Sequence, residues 1–280
     1  MYSVFAVIIT FNPKIETLRQ NIVSVANQVD KLIIVDNGSD NLEEITQQVL
    51  SFKNATVSAL GYNYGIATAT NFGIKKLGTM GSWGLILDQD SFFPENGVAT
   101  YKKYLELLKD YNIGMLVPAY IERNDQSNLS TNKYLSEWEF VDYPIASGSL
   151  VNYSAWKEIS GYDENLFIDR VDDDFDLRMR LHSYPLIQVN SVRLDHAIGS
   201  IEVKKLFGKN IVVYNHNTFR KYYQARNNII FAKKHGKIKD AFFREFMLII
   251  KTVFFENNKS SKLVSIFKGI VSGVTYKLKE

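Results

Sequence analysis

The feature that most constrains the fold is an alternation of short apolar runs with amphipathic segments in the first half of the chain. Val4–Ile9, Lys31–Val35 and Trp83–Leu87 are apolar runs of strand length, and Thr56–Leu60 is a weaker one. Apolar residues at three- and four-residue spacings, as in Ile15–Ala26, predict the intervening helices. This alternation is typical of a mostly parallel sheet covered by helices on both faces. We therefore predict an α/β fold.

Clusters of polar residues follow three of the predicted strands. In open parallel sheets, ligands bind beyond the carboxyl ends of the strands. We expect one crevice lined by the polar residues of the three clusters, which are Thr10, Asn12, Asp36, Asn37, Ser39, Asp88, Gln89 and Asp90.

Asp88 and Asp90 place two carboxylates two residues apart at the end of a strand. Along a strand the two side chains share one face, and in a turn they can converge. Carboxylate oxygens are ligands for hard cations such as Mg²⁺ or Mn²⁺. We predict a divalent metal here that bridges a diphosphate. An ordinary acidic loop is the alternative, because Asp-x-Asp alone is a common pattern.

Asp36 ends a buried strand and needs hydrogen-bond partners, which a nucleotide base or ribose could supply. Capping of the next helix is the alternative for this region. In residues 61–73, Asn63 and Asn71 could contact base or sugar groups, and Gly65 allows close approach of the backbone. Capping and packing are the alternatives for these residues too.

Residues 167–180 contain a cluster of aspartates on a segment with helical periodicity, predicted as a helix from about Asp172 to His182. A helix N-terminus favours ionised carboxylates, whereas crowding of like charges raises their pKa, and a general base needs a balance of the two. Asp172 is our candidate for the general base, with Asp174 as second choice. A solvated acidic first turn is the alternative.

The second half of the chain has a different pattern. Residues 118–145 are polar and irregular, which predicts a functional flap. A short helix is predicted over Ser154–Ile159 and a short strand over Leu186–Val189. The last 60 residues are predicted to form two or three helices rich in Lys and Phe.

The net charge of +3 is unevenly distributed. Residues 201–280 hold 17 Lys and Arg against 5 Asp and Glu, whereas the first 200 residues hold 16 against 25. We predict a ligand-binding and catalytic domain over residues 1–200 and a basic, aromatic, helical extension over residues 201–280. A basic surface attracts phosphates of nucleic acid, anionic lipid or a ligand, and a Lys-rich solvated face is the alternative.

Four further residues are candidates for phosphate or metal contacts. His196 could complete a metal site or contact phosphate, although a lone histidine is more often structural. Arg220 and Arg226, with Tyr223 between them, could present guanidinium groups to phosphate, and a solvated helix is the alternative.

The sequence lacks features that are typical of several functional classes of protein. The chain has no cysteine, which excludes disulfides, thiolate metal sites and a cysteine nucleophile, and favours a reducing compartment such as the cytosol. The first residues lack a basic lead and a cleavage site, so we expect no signal peptide. The longest apolar run near the C-terminus, Phe246–Ile250, is far short of a membrane span. The loops typical of NTPases and dehydrogenases and the zinc-protease helix are absent from the sequence.

A series of motifs, taken in order, resembles family 2 glycosyltransferases of the GT-A fold. These motifs lie at residues 7–13, 35–39, 63–74, 87–91, 147–151, 161–164, 166–172, 177–180, 196–199 and 220–227. Leu87–Ser91, Phe167–Asp172 and Gly269–Gly273 are most similar to bacterial rhamnosyltransferases. The resemblance implies a GT-A-type, mostly parallel, Rossmann-like sheet with a helical C-terminal extension.

The resemblance also implies an inverting transfer from a nucleotide-sugar donor, dTDP-L-rhamnose. Asp36 would contact the base, Asp88 the ribose or sugar, and Asp90 the metal on the diphosphate. Asp172 would deprotonate the acceptor hydroxyl, which attacks the anomeric carbon. The sequence departs from the family where Val171 replaces a frequent Glu and where Asp173 and Asp174 replace an apolar residue and a Glu, so Asp172 and Asp174 both stay candidates for the base.

Acceptors in this family are often glycans on lipid diphosphates at the inner face of the bacterial membrane. Phe242–Phe255 mixes apolar and cationic residues as interfacial helices do. We therefore expect a cytoplasmic protein attached peripherally to an anionic membrane, with no nucleic-acid partner. A UDP- or GDP-linked sugar is the alternative donor, and a nucleotidyltransferase is a more remote alternative.

Overall fold

The computed structural model describes residues 2–122, 136–196, 202–206 and 209–278. Two compact units are distinguished. The first, called here the sheet unit, comprises Met1–Glu164 and Asp172–Ala197. The second, called the helical unit, comprises Asn165–Val171 and Ile198–Glu280.

The sheet unit begins with four parallel strands in the order β3-β2-β1-β4. All seven residues of the central strand β1 are buried, since helices cover both faces of the sheet. The register places Thr10 opposite Asp36 and Ile9 opposite Asp88, so the carboxyl ends of these strands lie side by side. The elements are β1 (Val4–Thr10), α1 (Ile15–Ala26), β2 (Lys31–Asp36), α2 (Leu42–Val49), β3 (Ala55–Ala59), α3 (Ile66–Leu77) and β4 (Trp83–Asp88).

The second half of the sheet is mixed. β8 lies antiparallel between β4 and β6, β9 runs parallel to β6, and β5 and β7 pair antiparallel with β9. The α/β prediction is confirmed, and the antiparallel strands are an addition to it. These elements are β5 (Ser91–Phe92), α4 (Gly97–Leu107), β6 (Met115–Glu122), β7 (Trp138–Phe140), β8 (Ser149–Asn152), α5 (Tyr153–Glu158), a 3₁₀ turn (Glu164–Leu166), α6 (Val171–Leu181) and β9 (Leu186–His196).

Two predictions about this half were wrong. Residues 118–145 are not irregular throughout, because β6 continues to Glu122 and β7 occupies Trp138–Phe140. Residues 123–135 of the predicted flap lie outside the described residues. The strand predicted over Leu186–Val189 continues to His196, since a register shift opposite Pro118 lets it resume pairing with β6.

The helical unit contains a two-stranded antiparallel hairpin, β10 (Glu202–Leu206) and β11 (Lys209–Val213). Three helices follow among its described residues, which confirms the expectation of two or three: α7 (Thr218–His235), α8 (Ile238–Phe255) and α9 (Lys259–Thr275). α7 and α9 pack closely at Gly269, where an added Cβ would lie 2.3 Å from the carbonyl oxygen of Tyr222.

Buried charges cross-link the helical unit. Glu256 is 3% exposed and accepts from Lys221 Nζ at 2.6 Å and from Lys262 Nζ at 3.0 Å. Both lysines are also buried. In the described residues of the chain, no helix combines the length and the apolar character that a membrane crossing requires.

Candidate functional site

Asp36 organises the turn that follows β2. Its side chain is 1% exposed. Thr10 Oγ1 donates to Asp36 Oδ1 at 3.2 Å, and the backbone N–H groups of Gly38 and Ser39 each donate to Oδ2 at 3.1 Å. The carboxylate therefore closes its own turn, and Gly38 has the φ of +87° that this turn needs.

The turns after β1, β2 and β4 are joined by side-chain hydrogen bonds. Ser39 Oγ accepts from the backbone N–H of Asn12 at 2.8 Å, and Asn12 Oδ1 accepts from Asp40 at 2.8 Å. Gln89 Oε1 accepts from the backbone N–H of Phe11 at 2.8 Å. The structure thus brings together the three polar clusters that the sequence placed at one edge of the sheet.

The turn after β3 joins the same group. Asn37 Oδ1 accepts from the backbone N–H of Tyr64 at 2.9 Å, and Asn37 Nδ2 donates to Asn63 Oδ1 at 3.0 Å. Asn63 Oδ1 also accepts from the backbone N–H of Gly65 at 3.0 Å. These contacts fix the entry into α3, where Gly65 has a φ of +89°.

Asn71 uses its amide within the protein. Its Oδ1 accepts from Trp156 Nε1 at 3.1 Å and from the backbone N–H of Tyr162 at 2.9 Å. Its Nδ2 donates to the carbonyl of Tyr162 and to the Glu164 carboxylate, both at 2.9 Å. Two donors and two acceptors exhaust the ordinary capacity of the amide. The packing alternative for Asn71 matches these contacts.

Asp88, Gln89 and Asp90 form the connection from β4 to β5, and all three are partly exposed. The backbone N–H of Asp88 donates to Ser147 Oγ at 3.0 Å. The backbone of His196 pairs with Ser91, the residue after Asp90, while its side chain lies outside the described residues. Among the side chains that the structure describes, no three His, Asp or Glu residues are grouped to hold a metal by themselves.

The two candidates for the general base have different surroundings on α6. Asp174 is fully buried and its Oδ2 pairs with Arg178 Nε at 2.8 Å. Arg178 also donates to the carbonyls of Ile159 and Gly161, at 2.6 Å each. This pair anchors α6 to the chain before it. Asp172, in contrast, is only partly buried.

The pKa shifts of two tyrosines indicate that Asp172 lies near them. The pKa of Tyr120 is above its ordinary value, first because the hydroxyl is buried and then because of the negative charges of Asp172, Asp88 and Asp176. Burial likewise raises the pKa of Tyr162, with the charge of Asp172 as the next cause. Carboxylates from β4 and α6, distant in sequence, therefore act on the same hydroxyl groups.

Asp176 lies one helical turn after Asp172 and is 2% exposed. Burial raises its pKa well above the ordinary range, and the charges of Asp172 and Asp173 add to this while Arg180 opposes it. Its Oδ2 has no hydrogen-bond partner among the described residues. A carboxyl group in such a place favours its neutral form.

Comparison with known proteins identifies the family. Residues 5–159, more than half of the chain, match the model of Glycosyl transferase family 2. The chain belongs to glycosyl transferase family 2. It is therefore a glycosyltransferase, as the motif series predicted.

Individual members of this and related groups are similar over most of the chain. The dTDP-rhamnosyl transferase RfbF of Shigella flexneri is 26% identical over 247 residues, which cover 83% of this chain and 81% of that protein. The recognition of a rhamnosyltransferase-like family 2 member is thus confirmed.

Solved glycosyltransferase structures share the fold. S. aureus TarS 1–349 superimposes with a TM-score of 0.60 and 13% identity, covering 98% of this chain and 81% of that one. GalNAc-T7 with UDP, GalNAc and Mn²⁺ gives a TM-score of 0.58 at 15% identity and 81% coverage. This chain spans 51% of the GalNAc-T7 chain and 44% of the longer TarS chain. These likenesses confirm the GT-A-type fold.

In this glycosyltransferase, the residues predicted to contact phosphate lie on α7 of the helical unit. Arg220 Nη2 pairs with Asp169 at 3.2 Å, and its side chain is 41% exposed. Arg226 Nη1 donates to the carbonyl of Asn165 at 3.0 Å and the guanidinium lies over the Tyr223 ring. Tyr223 stacks on Phe167, with centroids 4.9 Å apart. All three residues thus pack against residues 165–169 of their own unit.

Asn227 closes the motif at residues 220–227, and the sequence analysis gave it no role of its own. Its Nδ2 donates to the carbonyls of Ile168 at 2.7 Å and Asp169 at 3.1 Å, and also to that of Leu166. The segment it holds has positive φ at Phe167, Asp169 and Arg170, which costs about 1–3 kcal/mol per residue for non-glycine side chains. Asn227 directly follows Arg226 in a quoted motif, so its position was available but its role was not.

The sequence analysis does not identify Tyr120, because it predicts an irregular segment over residues 118–145. A local signal for the strand is present, since the residues of Met115–Glu122 are mostly apolar.

Proposed function

We propose that this glycosyltransferase moves L-rhamnose from dTDP-L-rhamnose, with inversion, onto a hydroxyl of a glycan or lipid-linked acceptor in cell-surface polysaccharide synthesis. The observation that supports this chemistry is that Asp172 and Asp88 both lie near the Tyr120 hydroxyl, whose pKa is raised first by burial and then by these charges. Asp88, which we assign to the nucleotide sugar, and Asp172, the candidate base, then lie in one region of the sheet unit. The choice of rhamnose is supported by the 26% identity to RfbF.

Asp172 is our choice for the general base. A base must reach the acceptor hydroxyl and accept its proton, so its carboxylate must be accessible to the acceptor. Asp174 is fully buried and bound to Arg178, which would oppose its protonation. Asp172 is more exposed, and its position at the start of α6 favours the ionised form that a base requires.

The joined turns would hold the donor. Asp36 and Asn37 at the end of β2 would face the base and ribose, with Asn63 and Gly65 at the adjoining turn. Thr10, Asn12 and Gln89 hold these turns together, so we assign them to shaping the donor site. Asp88 would contact the ribose or the sugar.

Asp90 is our candidate for the metal that binds the diphosphate, with His196 as a possible second ligand. These residues fit a divalent cation, because Mg²⁺ is commonly held by one or two carboxylates together with substrate phosphates rather than by an all-protein cage. A divalent ion there would supply Lewis-acid stabilisation of the charge on the departing diphosphate. GalNAc-T7, a structural neighbour, was solved with Mn²⁺.

The helical unit would bring the enzyme to its acceptor at an anionic membrane surface on the cytoplasmic side. Its helices expose large apolar side chains beside a surplus of Lys and Arg, a combination that binds lipid headgroups and the acyl boundary. Arg220, Tyr223 and Arg226 would contact a phosphate of a lipid-linked acceptor there. The exposed apolar residues of α8 and α9 include Phe242, Phe243, Phe246, Phe254, Val264, Phe267, Val271 and Val274.

A UDP-linked sugar is the second candidate donor. The observation in its favour is the likeness to TarS 1–349 solved with UDP-GlcNAc, at a TM-score of 0.57 and 12% identity. The same site chemistry would serve either donor, since the difference lies in the base and the sugar.

A donor panel tests the proposal. Thermal unfolding is measured with dTDP-L-rhamnose, UDP-GlcNAc and a GDP-sugar, each with Mn²⁺, and donor turnover is then assayed. A ligand at 100 times its Kd stabilises the folded state by about 2.7 kcal/mol, so the true donor should raise Tm most. Stabilisation and turnover with UDP-GlcNAc alone would replace the rhamnose assignment.

A further inference from the structure

Tyr120 on β6 is one of several side chains that hold the connection between β7 and β8, together with Arg180, which pairs with Asp142, and Tyr101, which donates to the carbonyl of Gly148. Its hydroxyl lies 2.6 Å from the carbonyl oxygen of Ile145 and 2.8 Å from that of Ser147, and donates to both. These lengths are ordinary for O–H···O hydrogen bonds, with one proton shared between two acceptors. Both acceptors belong to the connection between β7 and β8.

Ser147 connects this segment to the acidic turn after β4 through hydrogen bonds. Its Oγ accepts from the backbone N–H of Asp88 at 3.0 Å and donates to Ser91 Oγ at 2.8 Å. Ser147 is 1% exposed and Ser91 is fully buried. The two bonds hold the turn at both ends, on either side of Asp90.

The backbone of the connection between β7 and β8 is constrained at Gly148. Gly148 has a φ of +80°, and a Cβ there would lie 2.7 Å from Pro118 and 3.0 Å from Leu194. Its backbone N–H donates to the carbonyl of Ile86 on β4 at 2.7 Å. The chain therefore turns sharply just after Ser147. Gly148 is held by Ile86 and by Tyr101, whose hydroxyl donates to its carbonyl at 2.9 Å, and Tyr120 holds the carbonyls of Ile145 and Ser147.

The hydroxyl is suited to act as a permanent donor. Burial and the negative charges of Asp172, Asp88 and Asp176 all raise the pKa of Tyr120, so it keeps its proton throughout the working pH range.

We propose that Tyr120 is a positioning residue for the donor: its hydroxyl fixes Ser147, and Ser147 fixes the turn that carries Asp88 and Asp90. The assignment of that turn to the nucleotide sugar rests on the proposed function. The positioning itself rests on the hydrogen bonds from Tyr120 to Ser147 and from Ser147 to the turn.

Kinetics of Tyr120→Phe tests the proposal. The variant keeps the ring and removes only the hydroxyl, so we expect kcat/KM for the donor to fall roughly tenfold to a hundredfold, as small misplacements of binding groups do. The rise in donor KM should account for part of this fall. Tyr104→Phe is the matched control, because the Tyr104 hydroxyl donates to Glu137 at 3.2 Å in another part of the sheet unit.

If the Tyr120 hydroxyl had only a structural role, Tyr120→Phe would behave like Tyr104→Phe: Tm and the active fraction of the enzyme would fall, and the donor KM would stay unchanged. Ser147→Ala should reproduce the kinetic defect of Tyr120→Phe. Combining the two should cost little more than either alone, because both remove the same restraint. Additive losses would overturn the proposed link through Ser147.

Hydrogen exchange separates this inference from the proposed function. The amide of Asp88, which donates to Ser147 Oγ, should exchange faster in Tyr120→Phe than in the wild type and Tyr104→Phe. If the wild type transfers no sugar from any nucleotide donor, the proposed function fails and the exchange rate alone decides on Tyr120. Unchanged exchange at Asp88 overturns the positioning role, and faster exchange supports it.

Discussion

The sheet unit and the helical unit use their apolar residues in opposite ways. In the sheet unit the strand cores are fully buried, as in Ile8 and Leu32, each 0% exposed. In the helical unit, Phe242 is 77% exposed and Phe246 is 52% exposed. Isolated exposed apolar residues are ordinary, whereas a basic helical surface with many of them indicates an interaction surface.

Charged groups are also placed differently in the two units. In the sheet unit, Asp36 and Asp88 end strands, and Asp172 and Asp173 lie at the start of α6 with partial exposure. In the helical unit Glu256 is buried between Lys221 and Lys262, where it links α7 with α9. Both units also use buried ion pairs for packing, as in Asp174 with Arg178, whereas partly exposed acidic residues at a possible ligand site are a feature of the sheet unit.

The largest expected effect is on catalysis in the sheet unit. Asp172→Asn should lower kcat by about a thousandfold, within the usual range for loss of a general base, while Tm stays near that of the wild type. Asp174→Asn should instead lower stability by roughly 3–5 kcal/mol, because it leaves the largely buried Arg178 guanidinium, 14% exposed, without its partner charge. Initial rates and thermal unfolding of both variants measure this difference.

Full turnover by folded Asp172→Asn would remove it from the role of base. If Asp174→Asn kept its Tm and lost turnover, the two assignments would be exchanged.

An intermediate effect is expected on the helical unit. Changing Phe242 and Phe246 to Ser should reduce flotation with anionic liposomes roughly tenfold or more, since each buried Phe contributes about 1.5–3 kcal/mol. Turnover with a soluble acceptor should not change, because both side chains are exposed. Phe140→Ser, which alters a 55% exposed residue of β7 in the sheet unit, is the control and should float like the wild type.

Equal flotation of the double variant and the wild type would remove α8 from membrane binding. Equal recovery with neutral and anionic liposomes would remove the contribution of the basic residues. Loss of a dimer in the double variant, with flotation unchanged, would assign the surface to a second copy of the chain.

The smallest expected effect concerns pH and stability in the helical unit. Burial raises the pKa of Glu245 from 4.5 to about 7, although Asn228 and Arg170 oppose the shift. Folding therefore favours the protonated form, and the stability this contributes is present below pH 4.5 and is lost as pH rises through about 7.

Glu245→Gln should mimic the protonated group. Its Tm should exceed that of the wild type by a few degrees at pH 8, on the scale of about 2–4 °C per kcal/mol, and the gap should close towards pH 4.5. Thermal scans across this range measure the gap. A gap that is constant with pH would show that Glu245 does not titrate as the burial predicts.

The parallel half of the sheet could be read from the sequence almost to the residue. β1, β2 and β4 each continue one residue beyond the predicted run, to Thr10, Asp36 and Asp88. Local signals sufficed there, because a buried parallel strand is a continuous apolar run and its end is marked by polar turn residues. The antiparallel strands β5, β7 and β8 are shorter and carried no such signal.

The candidate site likewise contains residues that local sequence patterns predicted and choices that those patterns could not make. Asp36, Asp88 and Asp90 were predicted as site residues because each lies at the end of a strong strand or just after it, and Asp172 because it begins a periodic helix. The sequence could not choose between Asp172 and Asp174, since both lie in one acidic turn and only the position of Arg178 separates them. Asn71 was offered for the donor, yet its contacts with Trp156, Tyr162 and Glu164 use its amide.

The sequence by itself determined the α/β alternation, the acidic strand ends, the basic helical C-terminal part and the membership of glycosyl transferase family 2, because periodicity, charge and motif order are properties of neighbouring residues. The tertiary structure decided which of these residues meet. Hydrogen bonds from Tyr120 to Ser147 and from the backbone of Asp88 to Ser147 join segments distant in sequence, and burial raises the pKa of Asp176 and of Glu245. Such pairings depend on how chain segments pack, and no local pattern records them.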